Sequence, residues 1–438
     1  MKIAVIGSGI SGLSAAWLLH RDHDITVFEK DARIGGHTNT VDIDYEGVSL
    51  AVDTGFIVFN ELNYPNLTAL FDTLAVETRA GDMSFAFSEV GSTNEWSGIS
   101  LDTVFAWRRN LLRPQFLGML KDIQRFNKLS GQDLETGRLD EMSLGDYLSW
   151  RAFGETFRTQ YLLPMGAAIW STSPSDMLSF PAASFVQFFI NHRLINTKSE
   201  RPQWRTVVGG SRSYLAPLTV GFSDQIRLNS KISHVVRMGD FVRVHHEDGQ
   251  HEDFDEIIFS CHSDQALALL GDASTEESSI LGAIGYGPNK AYLHRDMSLM
   301  PRRRKSWASW NYMSHQSLAN FQSTTCVTYW MNRLQGLDES RPVFVTLNPP
   351  EEPDPRLTFA SFDYMHPMFD RGALSAQKDL DIIQGDNRTW FCGAWAGYGF
   401  HEDGLSSGLA VAERLGGRRP WSDDRNLASG RPILMVAD

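Results

Sequence analysis

The chain has few cysteines, fewer cations than anions and no long apolar run. Its three cysteines, Cys261, Cys326 and Cys392, lie far apart and form no CxxC pair, which indicates neither a disulfide framework nor a zinc site. The scarcity of cysteine favours a reducing, cytoplasmic setting. No stretch reaches the roughly 18 consecutive apolar residues that a spanning helix needs, so any membrane contact is expected to be peripheral.

Two further absences narrow the function. The formal net charge of −13 argues against a general nucleic-acid binder, because phosphate binding requires a positive surface. The first predicted strand starts at residue 2, which leaves no room for the parts of a secretion signal, so we expect none. With 438 residues and 42% hydrophobic composition, the chain can form two cooperating domains around an enclosed ligand.

The N-terminal sequence is typical of a dinucleotide-binding unit. An apolar strand over residues 3–6 is followed by the turn GSGISG and then by a helical pattern. In this turn Gly7 allows the bend, Gly9 lets the backbone approach a pyrophosphate, and Gly12 lets helix and strand pack closely. The next strand ends at Glu29, whose carboxylate is placed to accept a hydrogen bond from a ribose hydroxyl. A surface turn is the alternative, but the strand, helix and acid at this spacing together predict dinucleotide binding.

A second glycine pair, Gly35 and Gly36, follows in the stretch RIGGHTNT. It gives the backbone another place to touch the cofactor phosphates, and Arg33 adds a charged donor. Residues 53–60 continue the pattern, with Gly55 allowing backbone near a flavin. The pattern resembles the flavoprotein superfamily of amine oxidases, protoporphyrinogen oxidases and phytoene desaturases, in which it accompanies FAD.

The last glycine-rich block covers residues 391–408 and leads into a helix predicted over Leu409–Leu415. It is similar to the closing flavin motif of the same superfamily, and a helix start there suits negative charge on a reduced flavin. A generic glycine-rich loop is the alternative. The resemblance also implies that Val236 flanks the adenine. The predicted cofactor-binding residues are Gly7, Gly9, Ile10, Ser11, Gly12, Glu29, Lys30, Arg33, Gly35, Gly36, His37, Thr38, Gly55, Phe56, Ile57, Val236, Gly393, Ala394, Asp403, Gly404, Leu405 and Ser407.

Four residues are candidates for catalysis. His401 and Glu402 are predicted proton acceptors, although acids in loops are usually solvated or cap helices. Tyr312 is a weaker candidate for the same role. Lys290 stands roughly where the resembling enzymes have a lysine that contacts flavin N5 through water; a solvated surface lysine is the alternative. The four histidines between residues 245 and 262 are explained by strand alternation, so no metal site is predicted.

The whole chain also resembles the bacterial NAD/FAD-binding proteins associated with cyclopropane-fatty-acid-synthase homologues. Residues 53–67, 108–114, 163–171 and 307–312 carry this resemblance. It implies desaturation of a fatty acyl chain, methylated and phospholipid-linked as in furan fatty acid synthesis, by hydride transfer to flavin N5. It also implies a lipid methyltransferase as a partner.

Three other functions stay open at this point. The first is a redox-neutral, flavin-dependent isomerase of fatty-acid double bonds, and the second is an amine oxidase. The third is a non-catalytic flavoprotein that presents lipid to a methyltransferase.

The motifs predict an α/β fold, α+β overall, in which a Rossmann-like FAD-binding domain is interleaved with a substrate-binding domain, as in amine oxidases and glutathione reductase. The FAD-binding domain is expected over residues 1–75, 200–285 and 385–425. The substrate-binding domain is expected over residues 76–199 and 286–384. Residues 426–438 are expected to form a C-terminal extension.

Two basic segments rich in aromatic residues favour contact with an anionic membrane face. Residues 101–128 carry six cations and two acids among aromatic and leucine side chains, and residues 302–305 add four more cations. Anionic headgroups would attract the charges while apolar side chains enter the interface. The alternative is ordinary helices that pack their apolar face on the core.

Overall fold

The computed structural model describes residues 1–196, 200–314 and 325–421, so the predicted extension over residues 426–438 lies outside the described residues. The strands are β1 (Lys2–Ile6), β2 (Asp24–Phe28), β3 (Thr40–Tyr45), β4 (Val48–Asp53), β5 (Phe59–Asn60), β6 (Thr78–Ala80), β7 (Phe85–Glu89), β8 (Glu95–Ser97), β9 (Trp204–Val207), β10 (Ile226–Arg227), β11 (Ile232–Arg237), β12 (Val242–His246), β13 (His251–Phe254), β14 (Glu256–Phe259), β15 (Gly285–His294), β16 (Trp310–Ser314), β17 (Val327–Trp330), β18 (Phe344–Leu347), β19 (Thr358–Met368) and β20 (Thr389–Phe391).

The helices are α1 (Ile10–Leu19), α2 (Pro65–Thr73), α3 (Leu101–Val104), α4 (Pro114–Glu135), α5 (Leu144–Trp150), α6 (Glu155–Phe157), α7 (Leu163–Trp170), α8 (Pro174–Ser179), α9 (Ala182–Asn191), α10 (Leu215–Thr219), α11 (Ser263–Leu269), α12 (Thr275–Gly282), α13 (Met331–Gln335), α14 (Arg371–Asp379) and α15 (His401–Arg414). Within the described ranges, no helix combines the length and the apolar character needed to cross a membrane.

A five-stranded parallel sheet in the order β10-β2-β1-β14-β20 carries the nucleotide-binding motifs. Its central strands are buried on both faces, as their apolar sequences require. These strands come from residues 1–75, 200–285 and 385–425, although the exact domain boundaries stay a prediction. The small antiparallel sheet β11-β12-β13 contributes to the core on one face of the parallel sheet.

Helices α1 and α15 pack against each other on the opposite face. Gly408 makes this close packing feasible, because a Cβ atom there would lie 2.2 Å from the carbonyl oxygen of Ser11. The C-terminal glycine-rich block is therefore held directly against the N-terminal nucleotide motif.

A seven-stranded mixed sheet in the order β19-β15-β18-β17-β16-β7-β8 forms the second half of the molecule. It shares a large core with helices α4 to α9. Aromatic side chains dominate that core: the ring of Phe126, for example, contacts the rings of Tyr147, Phe153, Phe157 and Phe189 at centroid distances of 5.9–6.3 Å. Close contacts between rings give this half its rigidity.

The helix predicted over Leu409–Leu415 is longer than expected. The helix α15 already begins at His401, because Asp403 accepts a hydrogen bond from the backbone N–H of Phe400 and closes the first turn. Three of the predicted loop residues, Gly404, Leu405 and Ser407, thus lie within the helix. Glycine and serine are weak helix formers, which hid the true start.

Candidate functional site

The first glycine-rich turn has the geometry of an anion site. Gly7 has φ +107°, and a Cβ atom on Gly12 would lie 2.2 Å from the Gly7 carbonyl oxygen, so both positions require glycine. Gly9 differs, because a Cβ atom there would meet nothing within 4 Å. No side chain caps the N-terminus of α1, so its first N–H groups point into that space. Ile10 and Ser11, also predicted cofactor residues, form the first turn of α1.

Glu29 is held at the end of β2 beside this turn. It is buried and accepts hydrogen bonds from the backbone N–H of Ser8 at 3.0 Å and from the hydroxyl of Ser8 at 2.5 Å. Its other oxygen accepts the N–H of Asp31 at 2.9 Å. A carboxylate has about four acceptor positions, so capacity remains for a ribose hydroxyl. Lys30 follows Glu29 and is exposed.

Arg33 organises the second glycine loop. Its guanidinium donates to the carbonyl oxygens of Gly36 at 2.9 Å and Thr38 at 3.3 Å, and the loop is tied to the first turn by the Gly35 N–H to Ser8 carbonyl bond of 2.9 Å. Arg33 also borders a cleft of about 460 Å³. The structure gives Arg33 backbone partners in its own loop, and its contact with cofactor phosphates stays a prediction.

Two buried histidines, His37 of the second glycine loop and His366 of β19, lie side by side and are called the histidine row below. The ring of His37 stacks on Tyr364 at 5.1 Å and contacts His366 at 5.4 Å. Burial lowers the pKa of His37 well below its ordinary value and that of His366 to about 4, so both are neutral near pH 7. Nε2 of His37 and Nδ1 of His366 are buried without a hydrogen-bond partner in the described part of the chain.

These orphaned nitrogens allow a test of whether FAD fits. Buried polar atoms are normally hydrogen-bonded, so two unpaired imidazole nitrogens indicate a missing polar ligand. The open space above Gly9, the uncapped start of α1 and the spare acceptor capacity of Glu29 indicate the same ligand class. The residues present therefore fit FAD, and the contacts of Gly9 with its pyrophosphate and of Glu29 with its ribose stay predictions.

The C-terminal block completes the dinucleotide cleft. The Ser407 hydroxyl accepts a hydrogen bond from the Gly393 N–H at 2.9 Å, and a Cβ atom on Gly404 would lie 2.9 Å from the Ile10 side chain. Ala394 borders the same position. Gly55 is similarly confined, because its Cβ atom would lie 2.2 Å from the His37 carbonyl oxygen. These contacts bring three distant glycine-rich segments together.

His401 is the predicted catalytic residue that the structure places best. Its ring stacks on Phe56 with a centroid distance of 3.9 Å and an angle of 6°. Its Nε2 lies 2.8 Å from the hydroxyl of Tyr214, and that hydroxyl lies 2.5 Å from the hydroxyl of Thr38. Burial lowers the pKa of His401 to about 3 and raises that of Tyr214, so both are neutral at pH 7. The three side chains form a continuous chain of exchangeable protons.

Glu402 has a different environment. Its carboxylate is buried and accepts hydrogen bonds from the backbone N–H groups of Asn66 at 3.0 Å and Leu67 at 2.9 Å, and from the Asn66 amide at 3.0 Å. It therefore caps the start of α2, where a negative charge is stabilised by the helix dipole. This geometry supports the capping alternative over proton transfer.

Tyr312 and Lys290 lie on the seven-stranded sheet. Tyr312 is buried and stacks on Phe87 at 6.1 Å, within the aromatic core. Lys290 is 47% exposed and pairs with Glu352 at 3.3 Å. It pairs in register with Asp363 of β19, whereas the neighbouring Tyr364 points to the opposite face and reaches the cleft. The sheet therefore does not bring Lys290 to the other site residues, and the surface alternative holds.

For two remaining predicted residues, the structure gives only local contacts. Val236 is half-buried on β11, beside Gly271. The carbonyl oxygen of Ile57 accepts a hydrogen bond from the hydroxyl of Thr206 at 2.8 Å. The cofactor contacts of both stay predictions.

Tyr214, Tyr364 and His366 were not predicted from the sequence as residues of the site. The hydrogen bonds that hold Asp53 were not predicted either. The buried Asp53 carboxylate accepts hydrogen bonds from the N–H and hydroxyl of Ser211, from the hydroxyl of Thr40 and from the amide of Gln335, at 2.5–3.0 Å. Burial raises the pKa of Asp53 to about 6 despite these donors. The alternation of Phe362, Tyr364 and His366 on β19 was the only available signal for the histidine row.

Comparison with known proteins agrees with this geometry. The NAD(P)-binding Rossmann-like domain matches residues 5–74. A 45-residue segment is 47% identical to 4,4'-diapophytoene desaturase (4,4'-diaponeurosporene-forming) of Staphylococcus aureus; it covers 10% of this chain and only 9% of the length of that relative.

Three solved structures are similar over nearly the whole chain. Putrescine oxidase bound to putrescine has a TM-score of 0.66 at 14% identity and covers 95% of this chain and 99% of its own. The CLA-producing fatty acid isomerase from P. acnes has a TM-score of 0.66 at 14% identity, with 94% and 98% covered. Cyclohexylamine oxidase from Brevibacterium oxydans has a TM-score of 0.64 at 14% identity, with 95% and 99% covered.

This likeness shows the fold. The chain has the fold of these two oxidases and of the fatty acid isomerase, which confirms the predicted Rossmann-like architecture. The residues of the cleft fit FAD, the predicted cofactor.

Proposed function

We propose that the protein is an FAD-dependent oxidoreductase that desaturates a fatty acyl chain. The observation that carries the acyl substrate is the apolar wall beside His401. Phe188 of α9 stacks on Phe400 at 5.4 Å and contacts Tyr398 at 6.1 Å. These rings join the flavin loop to the aromatic core of the second half, where a hydrocarbon chain would be stabilised by burial.

The acids of the flavin loop support the same choice. An amine substrate enters as an ammonium ion and requires a carboxylate or an aromatic cage. Glu402 is engaged as the cap of α2, and Asp403 is engaged at the start of α15. The rings of the wall pack on one another at 5.4–6.1 Å and so form no cage around a cation, which favours a neutral hydrocarbon over an ammonium group.

The proposed reaction removes two hydrogens from neighbouring carbons of the acyl chain. FAD supplies the acceptor for the hydride equivalent. The proton from the adjacent carbon passes to His401 as this ring releases its own proton to the Tyr214 hydroxyl, and Thr38 continues the path. Because uptake and release occur together, no buried imidazolium has to form, which the lowered pKa of His401 would oppose. The new double bond takes the electron pair left by the proton.

The deciding experiment is anaerobic. FAD-loaded protein is mixed with phospholipids that carry methylated or unmethylated unsaturated chains, and flavin absorbance and acyl mass are followed. Bleaching of the flavin with the loss of two hydrogens supports the proposal. Reduction by putrescine but not by lipid would contradict it.

A matched pair of tyrosine variants tests the proton path. Tyr214→Phe should slow flavin bleaching by about 100-fold, which is typical of the loss of acid–base assistance. Tyr292→Phe removes a hydroxyl that is bonded to Glu352 instead and should leave the rate unchanged. Equal rates in the two variants would exclude the path.

The fatty acid isomerase shares this fold to the same degree as putrescine oxidase, so isomerisation is the second candidate. In the same experiment, an unchanged acyl mass with a moved double bond and no lasting bleaching would assign the redox-neutral reaction. Lipid binding without any change in the flavin would instead assign a non-catalytic role beside a lipid methyltransferase.

A further inference from the structure

Four exposed leucines lie within one short stretch of the second half. Leu112 is 86% exposed, Leu101 80%, Leu111 49% and Leu117 44%. Over the described ranges, Leu228 is the only other leucine among the exposed large hydrophobic residues. Exposed apolar side chains gathered in this way usually mark an interaction surface.

The local structure explains why these leucines do not enter the core. Residues 101–113 form the short helix α3 and a single 3-10 turn, Arg108–Leu112, before α4 begins. From α4 onward the apolar side chains of Phe116, Met119 and Phe126 are buried. The core alternative for the basic segment therefore holds for most of α4, whereas the turn before it keeps its leucines exposed.

The same stretch is positively charged within a protein of net charge −13. Between Asp102 and Asp122 the sequence has four cations and no acid. Arg108 pairs with Asp102, but Arg109, Arg113 and Lys121 have no carboxylate partner in the part of the chain that the structure describes. These three cations thus alternate along the sequence with the exposed leucines.

In the second basic segment, residues 302–305, two cations contact other residues of the protein. Arg303 pairs with the buried Glu95, and Arg304 lies over the ring of Trp307 at 4.3 Å. Lys305 reaches the first segment through its 3.4 Å pair with Asp102, and Arg302 is exposed. Of the two segments, only the first has exposed leucines, so the interaction surface is assigned to residues 101–121 of the described chain.

We propose that residues 101–121 form a docking surface for an anionic phospholipid bilayer. Leucine side chains on a short turn can enter the acyl boundary while the neighbouring cations contact lipid phosphates. A second copy of this chain fits less well, because a symmetric interface would bring the same unpaired cations face to face. The inference depends on this surface alone, so it does not rest on the proposed reaction.

Vesicle flotation tests the proposal with the FAD-loaded full chain. Wild-type protein should float with vesicles of phosphatidylglycerol and phosphatidylcholine, bind pure phosphatidylcholine far more weakly, and dissociate at high salt. The triple variant L101S, L111S and L112S should bind on the order of 100-fold more weakly, as should Arg109→Glu combined with Lys121→Glu.

The control variant carries Val220→Ser and Ile382→Ser, which remove exposed apolar side chains at 78% and 58% exposure elsewhere on the surface. It should bind vesicles like the wild type. Melting temperature and flavin absorbance confirm that each variant is folded and loaded.

Three results would overturn the proposal. They are wild-type binding that is equal for both vesicle types or absent, variants that bind like the wild type, and concentration-dependent self-association that the leucine variant abolishes. The last result would assign the surface to a second copy of the chain.

Discussion

The dinucleotide cleft and the aromatic core are built on opposite principles. In the cleft, backbone atoms approach so closely that Gly12, Gly55 and Gly408 leave no space for a side chain. In the core around Phe126, large rings fill the space and the backbone is kept apart. Where backbone N–H groups must approach a ligand, a few positions accept only glycine. In a packed core, many side chains share the required volume, so each single position accepts more residue types.

The largest loss of stability is expected when a side chain is introduced at a glycine of the cleft. Gly12→Val would place side-chain atoms on the Gly7 carbonyl and the Ser260 side chain, so the α1–β1 packing should fail at a cost above about 3 kcal/mol. A Cβ atom on Gly9 meets open space, so the unfolding free energy of Gly9→Ala should lie within about 1 kcal/mol of the wild type. The same methyl group would occupy the space predicted for the pyrophosphate, so FAD should bind roughly tenfold more weakly. Denaturant unfolding and FAD titration check both. Equal FAD affinity of Gly9→Ala and wild type would contradict the placement of the cofactor.

The corresponding change in the core is Phe126→Ala. Loss of this fully buried ring should cost about 3–5 kcal/mol, because its four aromatic neighbours cannot close the cavity. The FAD affinity of the folded protein should not change, since the rings that contact Phe126 are not among the residues of the cleft. A proportional loss of FAD affinity, measured by titration well below the melting temperature, would show that the two regions act as one unit.

The pH dependence of the unfolding free energy tests the environment of His401, which lies where the two regions meet. Folding lowers its pKa from 6.5 to about 3, so the neutral ring stabilises the fold above pH 6.5 and this contribution is lost as the pH falls towards 3. At pH 5 the loss amounts to about 2 kcal/mol. His401→Gln cannot take up the proton and should flatten the decline in unfolding free energy of the apoprotein between pH 7 and pH 5. Parallel curves for variant and wild type would contradict the buried, neutral state.

The smallest effects compare the two faces of the β15–β19 pair. Tyr364→Phe removes hydrogen bonds to Asn39 and Thr54 and should cost about 1 kcal/mol, with a measurable loss of FAD affinity. Lys290→Gln removes an exposed ion pair and should change neither the unfolding free energy measurably nor the FAD affinity. A loss of FAD affinity in Lys290→Gln would restore the catalytic interpretation of that lysine.

The same contrast explains what the sequence could predict. Gly7, Gly9, Gly12 and Glu29 were recognisable because a βαβ unit around a pyrophosphate demands those residue types at that spacing. The start of α15 was not, since its first turn depends on the Asp403 cap and not on helix propensity. Glu402 looked like a proton acceptor from its position, and only the fold shows that α2 is packed against it.

The histidine row and the Tyr214 relay could not be predicted either. Tyr214 and Thr38 are 176 positions apart, and their contact depends on how α10 packs on the glycine loop. Lys290 stood only roughly at the place of the lysine in the resembling enzymes, and strand alternation puts it on the face opposite to Tyr364. To predict which side chains meet in such a site, one must know the register of the paired strands and the packing of the helices. One sequence alone does not give either.

The packing of α1 against α15 has a consequence for biosynthesis. Helix α1 ends at Leu19, but its partner helix α15 begins only at His401, 382 positions later in the sequence. During translation, α1 must therefore wait with one apolar side uncovered until α15 has been made. A nascent chain of this kind would benefit from chaperone protection, and truncated products should aggregate before they can take up the cofactor.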